Sequence, residues 1–210
     1  MFDWKLILAV IKGLGLVGTI SLPLPKNEYF QFPIEVEMRE KVSTEPVAFA
    51  TRFMTEFSDE PVKCKINIVS NSENWVIGDE TKKSTKPSLY SIQYGNVAQK
   101  NTQLFILSHE IGHCFDWIAG PAGLSAEGLN IWKEAYADSY AVMVLKRTNL
   151  VPVPRLKELG KIRAYGYAEP YREFWNKAIL EAASVDVTEK SDKDLLEVAS
   201  KIRLSVWQQF

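Results

Sequence analysis

Cysteine and histidine are nearly missing from these 210 residues: there are two of each, Cys64 and Cys114, His109 and His113. Two distant cysteines do not make the dense framework of a small secreted scaffold, and a chain of this length buries a core without staples. Reduced thiols in a cytoplasmic protein are therefore expected. Excess charge of either sign is missing too, since 25 basic and 26 acidic residues spread along the chain leave a formal net charge of −1. No basic stripe of the kind that neutralises phosphates is present, which argues against nucleic acid as a ligand. Long apolar runs are limited to Leu6–Ile20, which Lys12 interrupts. A charge in mid-span is costly in hydrocarbon, and no small-x-small cleavage site stands before Pro23. A packed or surface-associated amphipathic helix, with Lys5 and Lys12 on one face, is expected ahead of an anchor or a cleaved signal. Through it, residues 1–24 are candidates for membrane-surface or protein contact.

Beyond that segment the prolines at 23, 25 and 33 predict a connector, because each restricts its predecessor to extended geometry. A helix is expected to resume near Ile34, and another over 46–58 with Pro46 in its first turn. Val62–Val69 alternates apolar and polar residues and predicts a half-buried strand; Asn74–Gly78 and Ser88–Tyr94 predict two more. From Asn101 or Thr102 the pattern becomes helical, with Leu104, Phe105, Leu107 and Ile111 as an apolar face, until Gly120-Pro-Ala-Gly123 stops it. A second helix follows from about Ser125 or Glu127 to Arg147, closed by Pro152 and Pro154. The rest predicts two or three helices, interrupted near 165–167 and 186–191. No internal repeat is visible.

The chemistry concentrates in Ser108-His-Glu-Ile-Gly-His113, an HExxH pattern. Histidines at i and i+4 share one helix face, so both imidazoles reach a single ion while Glu110 projects beside them. On this composition the coincidence is roughly one in a thousand. A hydrolytic zinc wants three protein ligands and a water, and Glu134, in Lys133-Glu-Ala-Tyr-Ala-Asp138, is the candidate third. Asp116 is its rival. Ligands at 109, 113 and 116 would span about 10 Å of one helix axis, too far for a short side chain, so Asp116 is expected to be solvated or to support the ligands from outside. Asp138, one turn beyond Glu134, is placed to accept a hydrogen bond from a ligand imidazole. Cys114 points about 100° away from His113 and is expected in the core.

The pair His109-Glu110-x-x-His113 and Glu134-x-x-x-Asp138 resembles the gluzincin metallopeptidases, in which the later Glu is the third zinc ligand. Glu134-Ala-Tyr-Ala-Asp-Ser-Tyr-Ala141 and Gln103–His113 are most similar to the ImmA/IrrE type, with some likeness to HtpX-like membrane proteases. The likeness covers about residues 88–147. It implies an α+β, zincin-like fold: a small three-stranded sheet packed on the HExxH helix and a second ligand helix, followed by a helical C-terminal part. The corresponding division is 1–33 for the apolar N-terminal helix and connector, 34–150 for the catalytic core, and 151–210 for C-terminal helices of the same domain. The implied activity is that of a zinc metallopeptidase acting on a protein or peptide substrate, with Zn2+ as cofactor and Glu110 as general base. With no third histidine, an oxyanion would be met by zinc alone or by one of Tyr136, Tyr140, Tyr165, Tyr167 and Arg163.

An extended substrate would add to the strand at 88–94. A different class of reading is a catalytically silent zincin-fold protein with a structural or binding role, such as a viral particle component. A closed structural zinc site needs four protein ligands and no base, so three ligands beside Glu110 favour the enzyme. A regulatory peptidase whose C-terminal helices, from Arg155 on, dock a partner or block the cleft is a third reading.

Overall fold

The computed structural model describes residues 18–21, 34–39, 48–55, 58–69, 95–116, 118–149 and 151–210. The protein is α+β and mostly helical, and it divides into two compact units, Met1–Val76 and Ile77–Phe210.

The first unit carries strands β1 (Gly18–Ser21), β2 (Ile34–Arg39), β3 (Ala48–Thr55) and β4 (Ser58–Val69). They form a mixed sheet in the order β1-β2-β4-β3, with β2 and β4 parallel and the two outer pairs antiparallel. The period of two explains these strands. Ile34 and Val36 on β2 and Cys64, Ile66 and Ile68 on β4 are fully buried, while Glu35, Glu37, Lys63 and Lys65 face the other way. That outer face is laced by ion pairs, Lys63 with Glu35 at 2.7 Å and Lys65 with Glu37.

The strand expected at 62–69 is the second half of β4. The helices expected near Ile34 and over 46–58 are strands instead. Ile34-Glu-Val-Glu alternates too briefly to be distinguished from a helix start, and Phe49, Thr51, Phe53 and Thr55 are strand formers spaced by two that pair with β4. Residues 18–21, expected to end the first helix, are likewise extended; the rest of that segment, the connector and the strands at 74–78 and 88–94 lie outside the described residues. Among the described residues the sheet has four strands, three of them in residues expected to be helical. Neither cysteine is a free thiol: Cys64 and Cys114 are each disulfide-bonded, which corrects the expectation of reduced thiols, since a count of two carries no pairing information.

The second unit holds α1 (Gly95–Phe115), α2 (Ala126–Arg147), α3 (Val153–Arg163), α4 (Tyr171–Ser184) and α5 (Asp192–Trp207). Every helix expected after Asn101 is present, although α1 starts earlier. Ser125 caps α2 by accepting from Gly128 N at 3.1 Å, and Ser191 with Asp194 forms a capping box on α5. The central element is α2, buried from Ala135 through Leu145 and packed by α1, α4 and α5. A helix enclosed on all sides needs no single apolar stripe, and its Ala135, Ala137, Ser139 and Ala141 let neighbours approach closely. Gly112 on α1 exploits this: a Cβ there would stand 2.9 Å from Ala137 Cα. At the far end of α2, Lys146 Nζ donates to Ala183 O and Val185 O at 2.9 and 2.5 Å, tying it to the end of α4. Among the described residues no helix is long and apolar enough to cross a membrane.

Asp116, expected to be solvated or beside the ligands, is neither. It is buried and accepts a bidentate pair from the fully buried Arg203 of α5, at 2.6 and 2.7 Å. The guanidinium also lies over Trp132 and Tyr136, 4.4 and 4.7 Å from their ring centroids. Removing one partner strands a buried charge, so Arg203→Ala is expected to lower stability by about 3–5 kcal/mol in urea denaturation. Replacing both residues, as Arg203→Met with Asp116→Leu, is expected to recover most of that loss; no recovery would show that the pair itself supplies the stability.

Candidate metal centre

Three elements of the helical unit meet at one place. His109 and His113, one turn apart on α1, present their Nε2 atoms 3.0 Å from each other. Glu134 reaches across from α2, its Oε2 3.4 Å from His109 Nε2 and its Oε1 3.3 Å from His113 Nε2. The close crossing at Gly112 and Ala137 brings the two helices near enough for this. These residues form a group that could hold a metal ion, with all their donor atoms within 4.8 Å of one another. The 3.0 Å between the two Nε2 atoms, and the approach of each Glu134 oxygen to one imidazole at 3.3 to 3.4 Å, are of the order of the edge between donors on a small cation, about 3.3 Å for tetrahedral bonds near 2.0 Å, so the donor set fits a small divalent cation. His109 is buried, while His113 and Glu134 keep partial exposure, leaving the group open on one side.

Behind this group lies Asp138, fully buried on α2. Its Oδ1 accepts from His109 Nδ1 at 2.6 Å, and its Oδ2 accepts from Arg163 Nε and Trp175 Nε1, both at 2.9 Å. Burial alone would raise the Asp138 pKa, but the Arg163 guanidinium and His109 outweigh it and hold the carboxyl well below its usual range. A carboxylate so held can only accept, so the Nδ1 proton stays on His109 and its Nε2 faces the group. Arg163, the last residue of α3, also donates from Nη2 to Glu134 Oε2 at 3.1 Å. The Glu134 carboxyl is held low despite burial, by both histidines and then Arg163.

Glu110 follows His109 on α1 and is buried beside the group. Desolvation pushes its pKa up; His109 and His113 pull the other way and do not cancel it. A carboxylate with a raised pKa is the stronger base. His109 behaves oppositely to a simply buried imidazole. Burial lowers its pKa, yet Glu134 and Asp138 overcome that and raise it to about 9.

Of the five groups proposed to meet an oxyanion, Arg163 touches this cluster directly, through Asp138 and Glu134. Tyr167 packs edge-on against Trp175, at 5.4 Å between centroids, and Tyr165 is half exposed. Tyr136 lies under Arg203, and Tyr140 is fully buried, its hydroxyl pushed well up by desolvation and then by Asp192. Trp175 was not foreseen, because an indole on an amphipathic helix carries no local mark of the carboxylate it will meet. Gly112 does carry a local mark, since a glycine inside a strong helical pattern signals close helix contact. Compared with family models, curated proteins and solved structures, the chain matches none.

Two outcomes follow from this arrangement. Asp138→Ala frees His109 Nδ1 and strands Arg163, and is expected to weaken metal binding roughly 10- to 100-fold in chelator competition. A His109 pKa of about 9 means the metal-free protein carries that proton at neutral pH. Binding must displace it, so apparent affinity is expected to climb about tenfold per pH unit between 7 and 8.5 and to level off above 9. Titration calorimetry in buffers of different ionisation enthalpy checks the released proton; a binding heat independent of buffer would contradict it.

Proposed function

We propose that the protein is a zinc-dependent metallopeptidase of gluzincin type, with His109, His113 and Glu134 as metal ligands and Glu110 as general base. The observation that carries the reading is the donor triangle of two imidazoles from α1 and one carboxylate from α2, with a raised-pKa carboxylate at its side. Zinc is the preferred ion because two nitrogen donors and one oxygen at tetrahedral spacing suit it better than the oxygen-rich shells of magnesium or calcium. Among the described residues the group has three members. A closed structural site takes four, so the count favours a centre that keeps a position for water. The similarity of Glu134–Ala141 to ImmA/IrrE-type peptidases points the same way, at the finer level of subfamily.

When bound, the ion supplies Lewis acidity, acidifying a water and polarising a carbonyl. Glu110 accepts the proton that the attacking water loses and passes it to the departing amine nitrogen as the peptide C–N bond breaks. His109 keeps its Nδ1 proton and donates it to Asp138 Oδ1 throughout, which fixes the ring. Arg163 and Trp175 keep Asp138 ionised and in place.

Glu110→Gln preserves shape and removes the base. Purified wild type and variant are expected to contain equal zinc, with cleavage of a peptide library slowed roughly 10²- to 10⁴-fold in the variant. Equal cleavage by both would remove Glu110 from this role, and absence of zinc from both would remove the centre itself.

A further inference from the structure

Both oxygens of Glu134 face the imidazoles, Oε1 toward His113 and Oε2 toward His109. Unrestrained, such a carboxylate can take a cation through both oxygens and fill the position that a water needs. Oε2 is already engaged by Arg163 Nη2 at 3.1 Å. The same guanidinium is fixed by its Nε bond to Asp138, at 2.9 Å, and lies over the rings of Phe105 and Trp175, 5.8 and 5.4 Å from their centroids. A planar fork held by one carboxylate and two aromatic faces has little freedom to release the second carboxylate. Arg163 enters from α3, an element outside the two that carry the ligands.

We propose that Arg163 is a positioning residue that makes Glu134 a one-oxygen ligand: it occupies Oε2, leaves Oε1 to the cation, and so keeps a coordination position open for water. This rests on the metal centre proposed above and adds a determinant of its coordination number. Arg163 is not required to touch substrate, and its place over Oε2 accounts for a cation lying so near a cation-binding group. It screens the oxygen that is not wanted and leaves the other.

The test is the visible absorption of the Co2+-loaded full-length protein, whose intensity falls as coordination rises from four to five or six. Wild type is expected to show an intense band. In Arg163→Gln the band is expected to drop to roughly half or less, as Oε2 joins the ion. In a Glu134→Gln background, where the carboxylate is gone, Arg163→Gln is expected to change the band no further. Arg163→Lys, which keeps a charge but cannot span both carboxylates, gives the same direction of change if the glutamine variant is insoluble. A band unchanged by either substitution overturns the proposal, as does an equal drop in the Glu134→Gln background. A wild type that shows no cobalt band at all overturns the metal centre instead, so the two failures are told apart.

Discussion

A fully buried carboxylate is a severe constraint, and Asp138 meets it by gathering partners from three other helices. His109 arrives from α1, Arg163 from the end of α3 and Trp175 from α4, each donating to an aspartate in the middle of α2. The desolvation cost of an uncompensated charge in that position is several kcal/mol, so any packing of α1, α3 and α4 that failed to deliver these donors is penalised. The centre therefore does not sit on a finished scaffold. The bonds that aim His109 are among those that fix how the helices around α2 are arranged.

A second buried ion pair of the helical unit shows what such a pair looks like when it is closed off. Asp116 accepts from both Nη atoms of Arg203 in a bidentate fork, closed over by Trp132 and Tyr136. Nothing is left exposed: Arg203 is fully buried and Asp116 nearly so. Asp138 and Arg163 share the same residue types, yet their network continues outward through His109 and Glu134 to atoms that retain partial exposure. Burial and charge pairing alone do not separate a site from a clamp; an unsaturated, partly open edge does.

The helical unit was legible because its signals are local. HExxH fixes two ligands through the pitch of one helix, Ser125 and Pro152 bracket the next, and Glu134 with Asp138 repeats the same one-turn spacing. What escaped depends on contacts between segments far apart in the chain. Nothing near Trp175 or Arg163 announces Asp138, and nothing near Asp116 announces Arg203. The sheet failed for a different reason. Residues 34–39 and 48–55 are short, and a period of two over so few positions does not by itself separate a strand from a helix until the segment pairs with β4.

The electrostatics of the metal-free centre also suit it to a cation. Glu110, Glu134 and Asp138 converge within one partly closed space, and Arg163 balances only part of their charge. Without metal, His109 makes up some of the difference by holding a proton far above its ordinary range, at about 9, against the opposing cost of its burial. That proton is a placeholder. A divalent cation on the same Nε2 brings twice the charge to the same point, relieves the repulsion between Glu110 and Glu134, and turns His109 from a charged donor into a neutral ligand still held by Asp138. Glu110 has its pKa raised by desolvation, which the two histidines and Arg163 do not offset, whereas the histidines and then Arg163 outweigh burial at Glu134, and Arg163 and His109 outweigh it at Asp138. The difference among the three carboxylates follows from how much solvent each one loses and which cationic groups stand beside it.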